Sequence, residues 1–540
     1  MPENAAEPVP SQSRLLTKPH VITDSIRSVT PSLRPCMAAV VSGVLLVLSF
    51  PDFELSPLAW LALVPLLLVV AGYAGRPQGG RAFLLGWIFG TVFFYGSCYW
   101  LTYSMIHFGG IAPWVAFILL IPGALLLGVF PAIFTAVLAR AVNKWGPSAL
   151  FAASFLWPAL EWLRLEITGQ LWNALGYSQA YHGTLIQAAS WGGVYAVSFL
   201  IVTANAAVAL AILIRNAKGL VVSSAALLLL VAVMLGTNMV SRRRTPGVEQ
   251  RPGITVVAVQ PNVPMDLIKS TEDMQKLTLR HFEMTVTALK ELEPDGSPRI
   301  VIWPESPMNF AYGSDSYLRK LLADLAVRHN ASILLNSQEV APNNGLYNAA
   351  VLINQEGGLV AQYDKIRLMP FGEYVPVPQW VPGAGLIRGI VGDFTPGSNY
   401  KLMPMGDFRA GVFICIESAY PSIARRLTLE GADVLVNISN DGYLGPTAVM
   451  RQHLANTVFR AVENNRPLVR VTNTGITAFM TPTGEVKDAT QGFRPEVRIW
   501  RIPRSQNAGT FYSRHGDVFA AGCAILSLLI FVFSFWTRKP

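Results

Sequence analysis

Three residues of this 540-residue chain could carry nucleophilic chemistry together: Glu305, Lys365 and Cys415. Cys415 closes the apolar run Gly411-Val412-Phe413-Ile414, Glu305 follows Ile300-Val301-Ile302-Trp303, and Lys365 ends Tyr363-Asp364-Lys365. The other cysteines, Cys36, Cys98 and Cys523, fall in apolar segments, so Cys415 has no disulfide partner in its own polar stretch. A thiol, a carboxylate and an ammonium, each just past a strand-like run, supply a nucleophile, its base and an oxyanion donor. With no CxxC and no Cys/His cluster, neither a disulfide framework nor a metal site is expected. No phosphate-binding glycine loop occurs either, and the chemistry calls for no cofactor.

The elements that must position these residues alternate in type. β-rich apolar runs occur at Ile254–Val259, Ile300–Trp303, Ser332–Asn336, Ala349–Ile353, Ala410–Ile414, Asp433–Ile438, Leu468–Thr472 and Ile476–Thr481. Helical spacing appears near 271–293, 316–329 and 447–464. The pattern predicts an α/β domain over 240–517, with its site beyond the carboxyl ends of the strands.

The rest of the chain reads as membrane. Only 14% of residues are charged, and the mean hydropathy is +0.39. Uncharged stretches over 35–50, 56–75, 82–106, 108–139, 145–160, 190–214, 219–239 and 518–536 predict about eight spans. Pro113, Pro122 and Pro131 allow a kinked or re-entrant path in the fourth. The expected divisions are a disordered cytoplasmic tail (1–34), a seven-span domain (35–239), the α/β domain (240–517) and a last span with a cytoplasmic end (518–540). Arg34, Arg76, Arg81, Arg140, Lys144, Arg215, Lys218, Arg538 and Lys539 all fall on one side of such a topology. Basic residues are retained on the cytoplasmic side, which puts the α/β domain outside; Arg242-Arg243-Arg244 is the exception. The net charge of +9 is accounted for by these flanks and calls for no nucleic acid.

Trp303-Pro304-Glu305, Tyr363-Asp364-Lys365 with Pro370-Phe371-Gly372-Glu373-Tyr374-Val375-Pro376, and Cys415-Ile416-Glu417 resemble the Glu-Lys-Cys signatures of the carbon–nitrogen hydrolase (nitrilase) superfamily. Their order between seven spans and a final one resembles its membrane-embedded branch, the apolipoprotein N-acyltransferases. Ser49-Phe50-Pro51, Gly176-Tyr177-Ser178-Gln179, Ser439-Asn440-Asp441-Gly442, Arg451-Gln452-His453, Arg466-Pro467 and Thr472-Asn473-Thr474-Gly475 are similar to that family too. Two positions depart from its pattern: Ile416 stands where an aromatic is expected, and Lys269 lies near an expected tryptophan.

The resemblance implies a nitrilase-like αββα sandwich at the periplasmic face of the bacterial inner membrane. It implies a ping-pong transfer of a fatty acyl chain from a phospholipid to the N-terminal amine of a diacylated apolipoprotein, the last step of lipoprotein maturation. Cys415 would form the thioester, Glu305 would serve as base in both half-reactions, and Lys365 would hold the oxyanion. A nearby ammonium is expected to lower the thiol pKa toward thiolate. A monomer is expected.

Around this triad, Glu373 is expected to orient Lys365 or an attacking group. Glu417 either supports the site or forms an unrelated buried pair, and His453 is expected to be structural. The long connection 366–400 carries Phe371, Tyr374, Trp380, Leu386 and Ile387, which fit a lid that guides lipid, with packing inside the domain as the alternative. The loop 161–189, with Trp162, Leu165, Trp172 and Tyr177, is expected outside as an opposing wall, leaving Glu161 and Glu166 interfacial. The competing functions are a membrane-tethered amidase or nitrilase, which does not explain seven preceding spans, and a transporter or sensor with an inactive domain, which needs no triad.

Overall fold

The computed structural model describes residues 31–72, 79–244, 253–265, 270–293, 296–342, 345–375, 394–503 and 509–536. The expected tail falls almost wholly outside them, as do Lys269, Trp380, Leu386 and Ile387.

The membrane part begins with α1 (Leu33–Leu48), a 3-10 turn at Ser56–Trp60 and α2 (Val64–Val70). Then come α3 (Gly79–Ser97), α4 (Leu101–His107), α5 (Pro113–Trp145), α6 (Ala153–Thr168), α7 (Ala189–Leu213) and α8 (Ala217–Arg244). Among the described residues four helices are long and apolar enough to cross a membrane: Pro113–Trp145, Ala189–Leu213, Ala217–Ser241 and Val518–Phe535. The pair α3 and α4, bent by 52°, makes a fifth if it is one broken span.

The expected span over 56–75 is therefore two short pieces, and that over 82–106 is broken. Pro57 starts one piece, and a turn at Cys98 to Trp100 interrupts the other. The fourth stretch, by contrast, is one helix of 33 residues with Pro122 and Pro131 inside it. The Thr135 hydroxyl of this helix donates to its own Pro131 carbonyl at 3.1 Å and across to the Ala82 carbonyl of α3 at 2.7 Å. Gly86 of α3 lies against Pro131 and Thr135 so closely that a Cβ there would sit 2.1 Å from the Thr135 hydroxyl, the small-residue contact that lets membrane helices approach.

The α/β segment is a four-layer sandwich. Its first sheet joins β1 (Ile254–Gln260), β2 (Arg299–Ile302), β3 (Ser332–Val340), β4 (Leu346–Ile353), β5 (Leu359–Asp364) and β12 (Glu496–Ile502) in the order β12-β1-β2-β3-β4-β5. The second joins β6 (Leu402–Met405), β7 (Phe408–Ile414), β8 (Val434–Ser439), β9 (Leu468–Thr472), β10 (Ala478–Met480) and β11 (Val486–Lys487), in the order β11-β10-β9-β8-β7-β6. Each has three parallel strands, β1-β2-β3 and β7-β8-β9, flanked by antiparallel ones.

Side chains alternate across a strand. Ile300 and Ile302 therefore meet Val412, Ile414 and Val436 between the sheets, while Val301 and Trp303 pack beneath α9 (Thr271–Lys290) and α10 (Ser316–His329). The outer face of the second sheet is covered by α11 (Pro421–Leu429) and α12 (Val449–Asn464), and there the core does not stop. Phe413, Leu435, Leu454, Val458 and Phe459 share one apolar cluster with Phe50, Phe89, Tyr177 and Val197 of the membrane part. Of the 16 residues of α12, all but Met450 and Arg451 are buried. After β12, α13 (Phe511–His515) leads into α14 (Val518–Phe535), which packs on α6 and α7.

Candidate active site

Glu305 follows β2, Lys365 follows β5 and Cys415 follows β7, so strands from both sheets end at one place. Lys365 is 1% exposed, and its Nζ lies 2.9 Å from the Glu373 carboxylate and 3.4 Å from Glu305 Oε1. Burial would pull this ammonium down, but Glu305 and Glu373 raise its pKa above the ordinary lysine value. It is a fixed cation at any physiological pH.

Asn348, at the start of β4, was not singled out from the sequence, yet it organises this cluster. Its side-chain NH2 donates to Glu305 Oε1 at 2.8 Å and to Glu373 Oε1 at 2.5 Å, while its Oδ1 accepts from Asn336 at 2.7 Å. Its carbonyl takes the Lys365 N–H at 2.8 Å. The sequence signal is a buried asparagine in the otherwise apolar run of β4. Glu373 is further fixed by the Met369 N–H at 2.7 Å, in a turn where Phe371 adopts φ 60° and donates its N–H to the Tyr374 carbonyl at 2.8 Å. Phe371 is 57% exposed, and Tyr374 is half-buried beside it.

Cys415 takes the left-handed conformation, φ 52°, where a side chain is strained. The turn Cys415–Ala419 begins here, turning the chain sharply out of β7. Burial, followed by the Glu305 charge, pushes the thiol up to about 12, and the Lys365 cation does not offset them. The expected thiolate is thus overturned: the ammonium is already shared by two carboxylates, and the resting group is a thiol.

Glu417 proves to be a brace. It is fully buried and accepts the N–H groups of Ile366 (2.8 Å), Arg367 (3.0 Å) and Ile414 (2.7 Å) and the Tyr363 hydroxyl (3.0 Å). One carboxyl group thereby ties the chain after Lys365 to the residue before Cys415, and among the described residues it forms no ion pair. Burial pushes it up to about 7 despite these donors. Ile416, at the position of the expected aromatic, is buried in the cluster shared with the membrane helices.

The motif Arg451-Gln452-His453 joins this site to the membrane part. Arg451 pairs with Glu54 and stacks over the Tyr181 ring at 4.6 Å. Gln452 Oε1 accepts the indole N–H groups of Trp100 (3.0 Å) and Trp172 (2.9 Å), and its NH2 donates to the Pro51 and Ser97 carbonyls at 3.0 Å each. His453 Nε2 lies 3.0 Å from the Cys415 carbonyl.

The stretch expected as an outer-wall loop is in part helix. α6 runs on to Thr168, and Glu161 is buried, accepting from the Trp157 indole at 2.8 Å and the Leu175 N–H at 2.7 Å. Arg164, on the same helix, is buried with it. Trp172 and Tyr177 are likewise buried, forming a seat under α12, while Glu166 is exposed.

The sequence profile of the apolipoprotein N-acyltransferase N-terminal domain matches residues 42–207, and that of the carbon-nitrogen hydrolases matches 259–510. A Geobacter metallireducens protein named apolipoprotein N-acyltransferase is 33% identical over 513 residues, covering 92% of this chain and 95% of the relative. A Rhizobium meliloti protein of the same name is 29% identical over 467 residues, 82% of this chain and 85% of the relative. Among solved structures, a nitrilase-superfamily member from Saccharomyces cerevisiae aligns at 19% identity over 48% of this chain and 92% of its own, with a TM-score of 0.37. With both of its parts matched and a relative at 33% identity along nearly its whole length, this chain belongs to the apolipoprotein N-acyltransferase family.

Proposed function

We propose that this chain moves a fatty acyl group from a phospholipid to the N-terminal amine of a diacylglyceryl-cysteine on an apolipoprotein, through a thioester on Cys415. The observation that carries the reading is the meeting of Glu305, Lys365 and Cys415 in a domain whose α12 is packed into the membrane helices.

Since the resting group is a thiol, proton removal accompanies attack. Glu305 takes the thiol proton as Sγ adds to the ester carbonyl; Lys365 and backbone amides hold the oxyanion. The tetrahedral carbon then expels the lysophospholipid alkoxide, which recovers the proton from Glu305. In the second half, the acceptor's neutral amine adds to the thioester carbonyl and passes a proton to Glu305. The thiolate leaves and takes that proton back, so atoms and charges balance. Glu373 and Asn348 keep Lys365 and Glu305 in register throughout.

The basic flanks support eight spans with both chain ends cytoplasmic and the 240–517 domain outside, hence periplasmic in a bacterial inner membrane. In this reading the short pieces over Ser56–Val70 and the bent pair α3 and α4 each count as one crossing, and the divisions at 34, 239 and 517 follow. Phe371 and Tyr374 begin a lid, continued by Trp380, Leu386 and Ile387, that leads the donor from the bilayer. The enzyme acts as a monomer.

The test uses detergent-solubilised protein and a phospholipid with a tagged acyl chain. Without acceptor, the tag should accumulate on Cys415 in a bond that neutral hydroxylamine cleaves. A diacylglyceryl-cysteine peptide with a free amine should then discharge it, and its N-acetylated copy should not. Free fatty acid released regardless of peptide would make the protein a hydrolase, and no labelling with any phospholipid would leave the transporter or sensor reading.

A further inference from the structure

His453 touches the nucleophile from the backbone side, away from the Glu305, Lys365 and Glu373 cluster. Its Nε2 is 3.0 Å from the Cys415 carbonyl and its Nδ1 is 2.8 Å from Asp441 Oδ1. A peptide carbonyl offers only lone pairs, so Nε2 must carry a hydrogen. Asp441 receives Arg470 Nη2 on both oxygens, at 3.1 and 2.8 Å. Burial pushes the Asp441 carboxyl up, but Arg470 and His453 hold it well below the usual carboxylate range. It too offers lone pairs, so Nδ1 needs a hydrogen as well.

We propose that His453 is a positioning residue, doubly protonated between Asp441 and the Cys415 carbonyl, that holds Cys415 in its left-handed conformation with Sγ aimed for attack.

The groups facing the ring come from several elements. Cys415 follows β7, Asp441 follows β8, Arg470 lies on β9, and the Trp172 ring packs at 5.4 Å from the membrane part. Asn437 of β8 assists, with Nδ2 3.2 Å from the Phe413 carbonyl and 3.5 Å from that of Cys415, while its Oδ1 accepts from Arg470 at 2.5 Å. Burial, and after it Arg470, lower the His453 pKa below the ordinary histidine value, with Asp441 and the Cys415 carbonyl only partly opposing them. The double protonation follows instead from the two acceptors that face Nδ1 and Nε2. The expectation of a structural His453 is thereby sharpened: its partner is the backbone of the nucleophile. Losing the Nε2 hydrogen bond frees the peptide after Cys415 to rotate, and reactivity is steep in such displacements.

The proposal rests on Cys415 being the nucleophile of the acyl transfer, but its test does not depend on lipid. Full-length protein in detergent is treated with iodoacetamide, and the modification rate of Cys415 is followed by peptide mass spectrometry. His453→Phe keeps the ring packing and loses both hydrogens; His453→Gln keeps one donor within reach of the carbonyl. His453→Phe should slow alkylation by about 10-fold to 100-fold, with an unchanged KM for phospholipid and a lowered kcat, while His453→Gln should stay within about threefold of the parent.

In addition, 15N-histidine solid-state NMR, taken as parent minus His453→Gln, should give the imidazolium pattern with both nitrogens protonated. Parental alkylation rates in His453→Phe would overturn the positioning role, and a neutral-imidazole difference spectrum would overturn the double protonation. Should His453→Phe fail to fold, the spectrum and His453→Gln decide. Loss of lipid labelling alongside the expected order of alkylation rates would count against the acyltransferase reading and not against this one.

Discussion

At the scale of single residues, the pKa of Cys415 sets the chemistry. In the proposed mechanism a thiol pushed up to about 12, by burial and then the Glu305 charge, gives up its proton to Glu305 in the same step as attack. Cys415→Ser should therefore be nearly as inactive as Cys415→Ala in the tagged-lipid assay, because an alkoxide is harder still to form; a serine variant with most of the parental rate would remove the thioester. Lys365→Ala should lower turnover roughly 10²-fold to 10³-fold, the scale of losing one oxyanion donor, with little change in donor KM. A change in KM alone would make Lys365 a headgroup contact. Glu417 acts on stability. Its folded pKa, about 7, lies above the ordinary 4.5, so its contribution is complete below about 4.5 and is lost as pH rises through about 7. Melting curves of the parent should thus fall more steeply over that window than those of Glu417→Gln. Glu417→Ala should be far worse at every pH, because the buried Ile414 N–H and Tyr363 hydroxyl lose their acceptor at about 1–3 kcal/mol each, with the Ile366 and Arg367 N–H groups besides.

At the scale of elements, the connections prove as informative as the strands. Glu305 and Cys415 were legible because each follows a short apolar run, a pattern local to its own strand, and Lys365 through Tyr363-Asp364-Lys365 with the motif that follows it and not through its strand. β5 and β12 were not: they are sheet edges, and Val497-Arg498-Ile499-Trp500-Arg501 mixes charge into its alternation as an exposed edge must. Asn348 and the Glu417 brace escaped for another reason, since their roles depend on residues 25 to 54 positions away that only the fold brings near. The membrane helices were found by hydropathy, but their breaks at Ser56–Trp60 and after Ser97 lie within uniformly apolar sequence, where hydropathy has no contrast to report. For the lid, replacing Trp380, Leu386 and Ile387 together by Ser should impair use of long-chain phospholipid while leaving iodoacetamide modification of Cys415 intact. Parallel loss of both would place these residues in the domain core.

At the scale of the whole molecule, α12 makes the two parts one folding unit. Gln452 saturates all its hydrogen-bonding capacity with groups from the membrane part. Gln452→Ala should leave the buried Trp172 indole N–H without its acceptor and Trp100 with the Ser97 carbonyl alone, lowering the melting temperature of the intact protein by the equivalent of about 1–3 kcal/mol. The segment 240–517 produced alone should aggregate, since the apolar face of α12 would meet water; a monodisperse monomer by light scattering would contradict this. The sheet order adds a constraint in time. β1 is the first strand synthesised and β12 the last, yet they are hydrogen-bonded neighbours, paired from Ile254 with Ile502 to Gln260 with Glu496. A ribosome that has reached Lys487 has already supplied Glu305, Lys365, Cys415 and every strand of the second sheet, but has left the open flank of β1 bare. For roughly the time needed to add the next fifteen residues and clear the exit path, that flank is an adhesive edge in a crowded compartment. Chain elongation through Ile502 thus works as a clock on this protein's exposure to misassembly, and a pause placed just before β12 would lengthen the hazard without changing one residue of the finished enzyme.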